Sequence, residues 1–158
     1  MTSLRRLTRD DLPRLREHWR KHWGGEEMVT RSNVYRPEQL DGFVIEEGDG
    51  WIGLLTFFVK EGECEVTSLD SLREGQGIGT RLMKAVVQEA RKQNCKRVFL
   101  ITTNDNMHAL RFYQKRGFEL VAVHRGAVNE SRKIKPTIPL TGLDGIPIRD
   151  EIELEFIL

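Results

Sequence analysis

The chain has 158 residues, two cysteines, four histidines and a formal net charge of +1. That length suits one domain, residues 1–158, with a sizeable core, and the near-neutral balance excludes a broad basic field for DNA, RNA or an anionic membrane. Cys64 and Cys95 make neither a disulfide framework nor a metal cluster, so both are expected to be buried as small hydrophobes and no metal is expected. The opening "MTSLRRLTRDD" lacks the apolar stretch of a signal peptide, and "WIGLLTFFV" is too short to span a bilayer, so the chain reads as cytoplasmic.

The segment "LRRLT" alternates as a first strand, and Thr8 with Asp11 resembles a capping box that opens a helix carrying Leu12, Leu15, Trp19 and Trp23 on one face. Gly24 and Gly25 stop that helix, and a polar, aromatic-bearing stretch follows with one short helix expected near Pro37. Three strand-like runs, "GFVIEE", "WIGLLTFFVKE" and "ECEVTSLDSL", are separated by "GDG" and "EG", which suits an antiparallel meander. Simple alternation along the third run puts Glu65, Thr67, Leu69 and Ser71 on one face and Asp70 on the other. Beyond a glycine-rich turn, Ile78, Leu82, Ala85, Val86 and Ala90 recur at helical spacing. "RVFLI" then reads as a strand covered on both faces and parallel to the strand before it, which completes a βαβ unit. Asn104 or Asp105 is expected to cap a helix through "NMHALRFYQKR", with Gly117 as its stop, and "FELVAVHR" returns as a strand. The prolines and glycines of "GAVNESRKIKPTIPLTGLDGIPIR" argue for an irregular connection, and its "RKIK" run for a solvated face. "DEIELEFIL" forms a last strand, expected at an exposed edge where it could support a homodimer. The fold class is therefore α/β with a mixed sheet.

The chemistry concentrates in "EGQGIG", residues 74–79. A helix begun by such a turn presents unpaired amides and the positive end of its dipole, and the glycines admit a ligand close to the backbone. That pattern suits an anion, above all phosphate, although a glycine turn can also serve only as a tight corner. Walker A is excluded because no Gly-Lys-Ser/Thr ends the motif, and the dinucleotide fingerprint is excluded because Thr80 stands where a third glycine is needed.

A meander leading into "GQGIGTRLM", then an apolar strand, then "NMHALRFYQKRGFELV", resembles the GNAT N-acetyltransferase superfamily. The match lies at Gly77 and Gly79 of an Arg/Gln-x-x-Gly-x-Gly/Ala turn, and at Asn106, Ala109, Phe112, Tyr113, Gly117 and Phe118 of a second signature; it is close over residues 62–126. Two departures stand out. Glu74 occupies a position that is commonly Arg or Gln, with Arg73 beside it to supply the charge, and the loop is about two residues short.

The resemblance implies the GNAT acyl-CoA N-acyltransferase fold, with acetyl-CoA as cofactor and CoA as product. It implies that Gly75, Gln76, Gly77, Ile78, Gly79 and Thr80 cradle the pyrophosphate, that Leu69, Asp70, Ser71 and Leu72 offer a sheet edge to the cofactor's amides, and that Asn106, Ala109 and Phe112 line its arm. Tyr113 is the expected proton donor to the departing thiolate, since a phenol of pKa about 10 is protonated at neutral pH. A backbone N–H near Leu69 to Ser71 is expected to polarise the acetyl carbonyl. Glu65 is the expected general base, against the simpler reading of a solvated strand residue. The acceptor is a primary amine on a small molecule or peptide, held between the loop after the first helix and a flap carrying Asp144 and Asp150. A non-catalytic acyl-CoA-binding or sensor domain is the alternative, and a generic nucleotide module a more distant one.

Overall fold

The structure, a computed structural model, describes residues 1–158. Strand β1 (Thr2–Arg6) leads through a 3-10 turn (Arg9–Asp11) into helix α1 (Leu12–Trp23). The predicted capping contact is present: the Thr8 amide donates to Asp11 Oδ2 at 2.8 Å. Leu15 and Trp19 of α1 are buried, but Trp23 is 41% exposed. Gly24 ends α1 in the left-handed conformation.

The next stretch holds a feature absent from the sequence reading. β2 (Met28–Thr30) and β3 (Asn33–Tyr35) form a small hairpin, and a 3-10 turn at Pro37–Gln39 follows. The hairpin turn is made by Arg31 and Ser32, both at positive φ, where Asn-Gly would be the usual signal. β4 (Asp41–Glu47), β5 (Gly50–Lys60) and β6 (Glu63–Ser71) make the expected meander. Helix α2 (Ile78–Lys92) crosses to β7 (Arg97–Thr103), which pairs with β6 in parallel. Helix α3 (Met107–Lys115), strand β8 (Glu119–His124), helix α4 (Ala127–Ile134) and strand β9 (Glu151–Ile157) complete the chain. The main sheet has the order β1-β4-β5-β6-β7-β9-β8.

Several expectations change. The long connection contains α4, because its prolines all lie beyond the segment where Val128 and Ser131 turn one helical face inward. Its "RKIK" run is solvated only in part: Lys133 and Ile134 are exposed, whereas Arg132 donates to the carbonyls of Ile138, Pro139 and Ile148, and Lys135 is tied to two others. Asn106, not Asn104 or Asp105, caps α3 by accepting from the Ala109 amide at 3.0 Å. β9 is inserted between β7 and β8, so it is not an exposed edge for self-association; the free edges are β1 and β8. β7 buries Val98 and Leu100 on one face only.

The largest correction concerns β6. Thr56 pairs with Ser68 and Phe57 with Val66, which leaves Thr67 as an extra residue. This bulge reverses the alternation beyond it. Val66 and Leu69 pack into the α2-side core, while Glu65 and Asp70 both meet groups from the α1 side. One core joins the sheet to α2 and a second joins it to α1 and the hairpin through Leu15, Trp19, Met28, Tyr35, Val44, Trp51 and Leu54. Cys64 and Cys95 are buried thiols, as expected, and burial pushes the Cys64 thiol up to about 12. No helix is long and apolar enough to cross a membrane.

Candidate active site

The site begins where the sheet comes apart. β6 and β7 pair only from Glu63↔Arg97 to Val66↔Leu100. Beyond that point the bulge turns β6 away, while β7 remains paired with β9. The edge of β6 from Thr67 to Ser71 therefore has no strand beside it, and a cleft of about 560 Å³ opens between the two strands.

One end of the cleft is built from backbone. None of the amides from Gly75 to Thr80 donates within the chain, and they gather at the start of the 15-residue helix α2. Gly77 holds φ +69 and a Cβ there would meet nothing within 4 Å, so the glycine is needed for its conformation and leaves the approach open. Gly79 serves packing as well, since a Cβ on it would lie 2.8 Å from the Phe112 ring. The residues of the turn differ in role: Ile78 points into the core, and Thr80 Oγ1 accepts from Arg116 Nε at 2.9 Å. Arg73 does not supply the missing positive charge, because it pairs with Glu47 at 2.7 Å, whereas Glu74 is exposed. The electropositive groups at this turn are therefore amides and the helix dipole.

Leu69, Asp70 and Ser71 line the cleft from β6, and Gly79, Asn106, Ala109, Phe112 and Tyr113 line it from the helices. Leu72 and residues 75–78 lie outside it, at its anion-binding end. Tyr113 is buried, stacked edge-on against Phe112 and Phe118, and its hydroxyl has no partner in the chain. Burial and the nearby Asp70 charge raise its pKa further above the phenol value, so the proton is held at neutral pH.

Glu65 does not line this cleft. It borders a second, smaller concavity and accepts from Tyr35 Oη at 2.6 Å and Thr30 Oγ1 at 2.7 Å. Burial raises its pKa, and those two hydrogen bonds oppose the rise. Thr30 itself reaches the main cleft. Asp70, by contrast, lies on the cleft wall and accepts from Trp23 Nε1 at 3.1 Å; its Oδ2 also lies 2.9 Å from His18 Nε2. Sequence reading missed that cluster because the bulge is invisible to simple alternation and His18 is 52 residues away. In the proposed flap, Asp150 is used structurally, accepting from the Gly126 amide, and Asp144 is exposed.

Comparison with known proteins agrees with this arrangement. Residues 3–118 match the Acetyltransferase (GNAT) family. The Bacillus subtilis protein YxbD, described as uncharacterized, is 46% identical over 137 residues, 86% of each chain. Among solved structures, a GNAT family acetyltransferase from Elizabethkingia anophelis with acetyl-CoA bound superposes with a TM-score of 0.73 at 18% identity, covering 99% of this chain and 98% of its own. An acetyltransferase of Bacillus cereus titled "IAA acetyltransferase" gives 0.72 at 18% identity over the whole of both chains.

Proposed function

Because the chain belongs to the GNAT acetyltransferase family, we propose that it is an acetyl-CoA-dependent N-acetyltransferase acting by direct transfer to a primary amine of a small molecule or peptide. The observation that carries this reading is one cleft lined by the free edge of β6 and the unpartnered Tyr113, with the undonated amides at the start of α2 adjoining it through Gly79. The residues present fit acetyl-CoA: amides without side-chain obstruction suit its pyrophosphate, and an unpaired strand edge suits its amide-bearing arm. Bound acetyl-CoA supplies an acetyl group activated as a thioester.

Tyr113 donates its proton to the departing sulfur, a task suited to a phenol that stays protonated at neutral pH. Backbone N–H groups of Leu69 to Ser71 polarise the acetyl carbonyl. Asn106 combines its capping role with a place along the cofactor arm. Glu65, with a raised pKa and a hydrogen bond to the cleft-lining Thr30, takes up the amine's proton through that hydroxyl or water. A second reading assigns the base to Asp70, favoured by its position on the cleft wall with His18 behind it. A cytoplasmic setting fits two buried thiols with no disulfide.

The test is thiol release from acetyl-CoA with a panel of primary amines. Turnover by the wild type and its loss, on the order of 10²- to 10⁴-fold, in Tyr113→Phe with acetyl-CoA binding retained is the expected result. Tight acetyl-CoA binding without turnover on any amine supports the sensor domain instead.

A further inference from the structure

The half of the cleft opposite the glycine turn holds polar groups whose hydrogen bonds are incomplete. Glu151, the first residue of β9, lines the cleft and is only 3% exposed. Its two carboxylate oxygens share a single donor, the Arg31 amide at the tip of the β2–β3 hairpin, at 3.2 Å from each, and no Lys, Arg or His lies within ion-pair distance. A buried carboxylate without a cation is costly, and structures usually pair it. Ser131 of α4 lines the same cleft at 2% exposure, and its hydroxyl has no hydrogen-bond partner.

No residue lining the cleft forms an ion pair with Glu151: His108, the lining imidazole, does not pair with it, and the charges of Arg31 and His124 act on it only from beyond ion-pair distance. Lys135 is the one Lys or Arg lining it, and its Nζ is committed to the carbonyls of Trp23 and Glu27 at 3.0 and 2.9 Å. Asp70, the other carboxylate on the cleft wall, is already served by His18 and Trp23. Apolar side chains also line this cleft, among them Val29, Ile138, Pro139 and Ile148. An ammonium carries three donors and one positive charge, which is what a carboxylate without a cation and a hydroxyl without a partner in the same cleft lack.

We infer that Glu151 and Ser131 form the cation-recognition end of the acceptor site, which selects an amine with an apolar body and holds its ammonium on Glu151. The inference rests on the transferase reading for the meaning of "acceptor", but the recognition itself is independent of it. Neutral or anionic molecules of the same shape leave Glu151 uncompensated and are rejected. Burial raises the pKa of Glu151, and the Arg31 amide together with the more distant Arg31 and His124 charges only partly opposes the rise.

Ligand-detected NMR with n-hexylamine, hexan-1-ol and hexanoate, on the free protein and with CoA present, tests this. Hexylamine should bind at least ten-fold more tightly than the alcohol or the acid. Glu151→Gln, which keeps the shape and an acceptor for the Arg31 amide, should abolish that preference, and Ser131→Ala should weaken hexylamine binding about three-fold. CoA affinity, measured by calorimetry on the same proteins, should stay within two-fold of wild type in both variants, which also reports their folding. Equal binding of hexylamine and hexanol, no binding of hexylamine, or an undiminished preference in Glu151→Gln overturns the inference. Loss of CoA binding in the wild type together with a retained, Glu151-dependent amine preference overturns the transferase reading and leaves the cation site standing.

Discussion

The two ends of the cleft are built from different materials. The end around Gly75 to Thr80 is backbone: one turn, one helix start and a row of free amides within a single short segment. The opposite end is side chain, assembled from Thr30 on a hairpin, Asp70 on β6, Ser131 on α4 and Glu151 on β9. A backbone site binds what every member of a fold needs in common, and a side-chain site can change its ligand with one substitution. On the proposed reading the first end explains the cofactor and the second the choice of amine.

The contrast is easiest to break at the backbone end. Gly77→Asp puts a carboxylate and a Cβ at φ +69 among those amides, and acetyl-CoA affinity should fall on the order of 100-fold by calorimetry, while the backbone strain of about 1 kcal/mol lowers the melting temperature by only a few degrees. Gly79→Val should act through packing, because its Cβ meets Phe112 at 2.8 Å; overpacking of about 1–3 kcal/mol should lower the melting temperature as well as affinity. At the side-chain end, Glu65→Gln and Asp70→Asn separate the two bases: the variant lacking the true base should lose about ten- to hundred-fold in kcat and the acidic limb of its pH–rate profile, while the other keeps both. Equal profiles in both would leave proton removal to solvent water.

A smaller effect concerns stability. Glu151 has a raised pKa in the folded chain, so the native state binds more protons than the unfolded state between the ordinary carboxylate value and the raised one. Stability conferred by the rest of the fold is eroded as pH rises through that window. Glu151→Gln should therefore raise the melting temperature at pH 7, an effect that disappears at pH 4. The reverse sign holds for Asp11, whose pKa is lowered to about 2, first by its hydrogen bond to Arg5. Its contribution is present above the ordinary Asp value and is lost as pH falls toward 2, so Asp11→Asn should cost about 1 kcal/mol at neutral pH and nothing near pH 2.

The same division explains what could be read in the sequence. The meander, the βαβ unit, the glycine turn and the Asn106-to-Tyr113 segment are short-range patterns, and each stands where periodicity or turn chemistry puts it. The side-chain end was hidden because it depends on contacts between distant segments. Nothing in "RSN" announces a hairpin turn made without glycine, and Thr67 gives no sign that it is the extra residue that brings Asp70 to the α1 side. Glu151 reads as one more polar position in an alternating strand; its burial appears only once β9 is threaded between β7 and β8 beneath the Arg31 amide. Glu65 illustrates the limit from the other side, since its residue type and strand position were readable but its partners Tyr35 and Thr30 were not.

The most direct test of the central claim is a calorimetric titration of the purified wild-type protein with acetyl-CoA, with ATP and NAD as controls. Selective micromolar binding of acetyl-CoA, lost in Gly77→Asp, is the predicted result. Equal binding of all three ligands, or none of acetyl-CoA, would contradict the assignment of the α2 turn and the splayed β6 edge as the acetyl-CoA site.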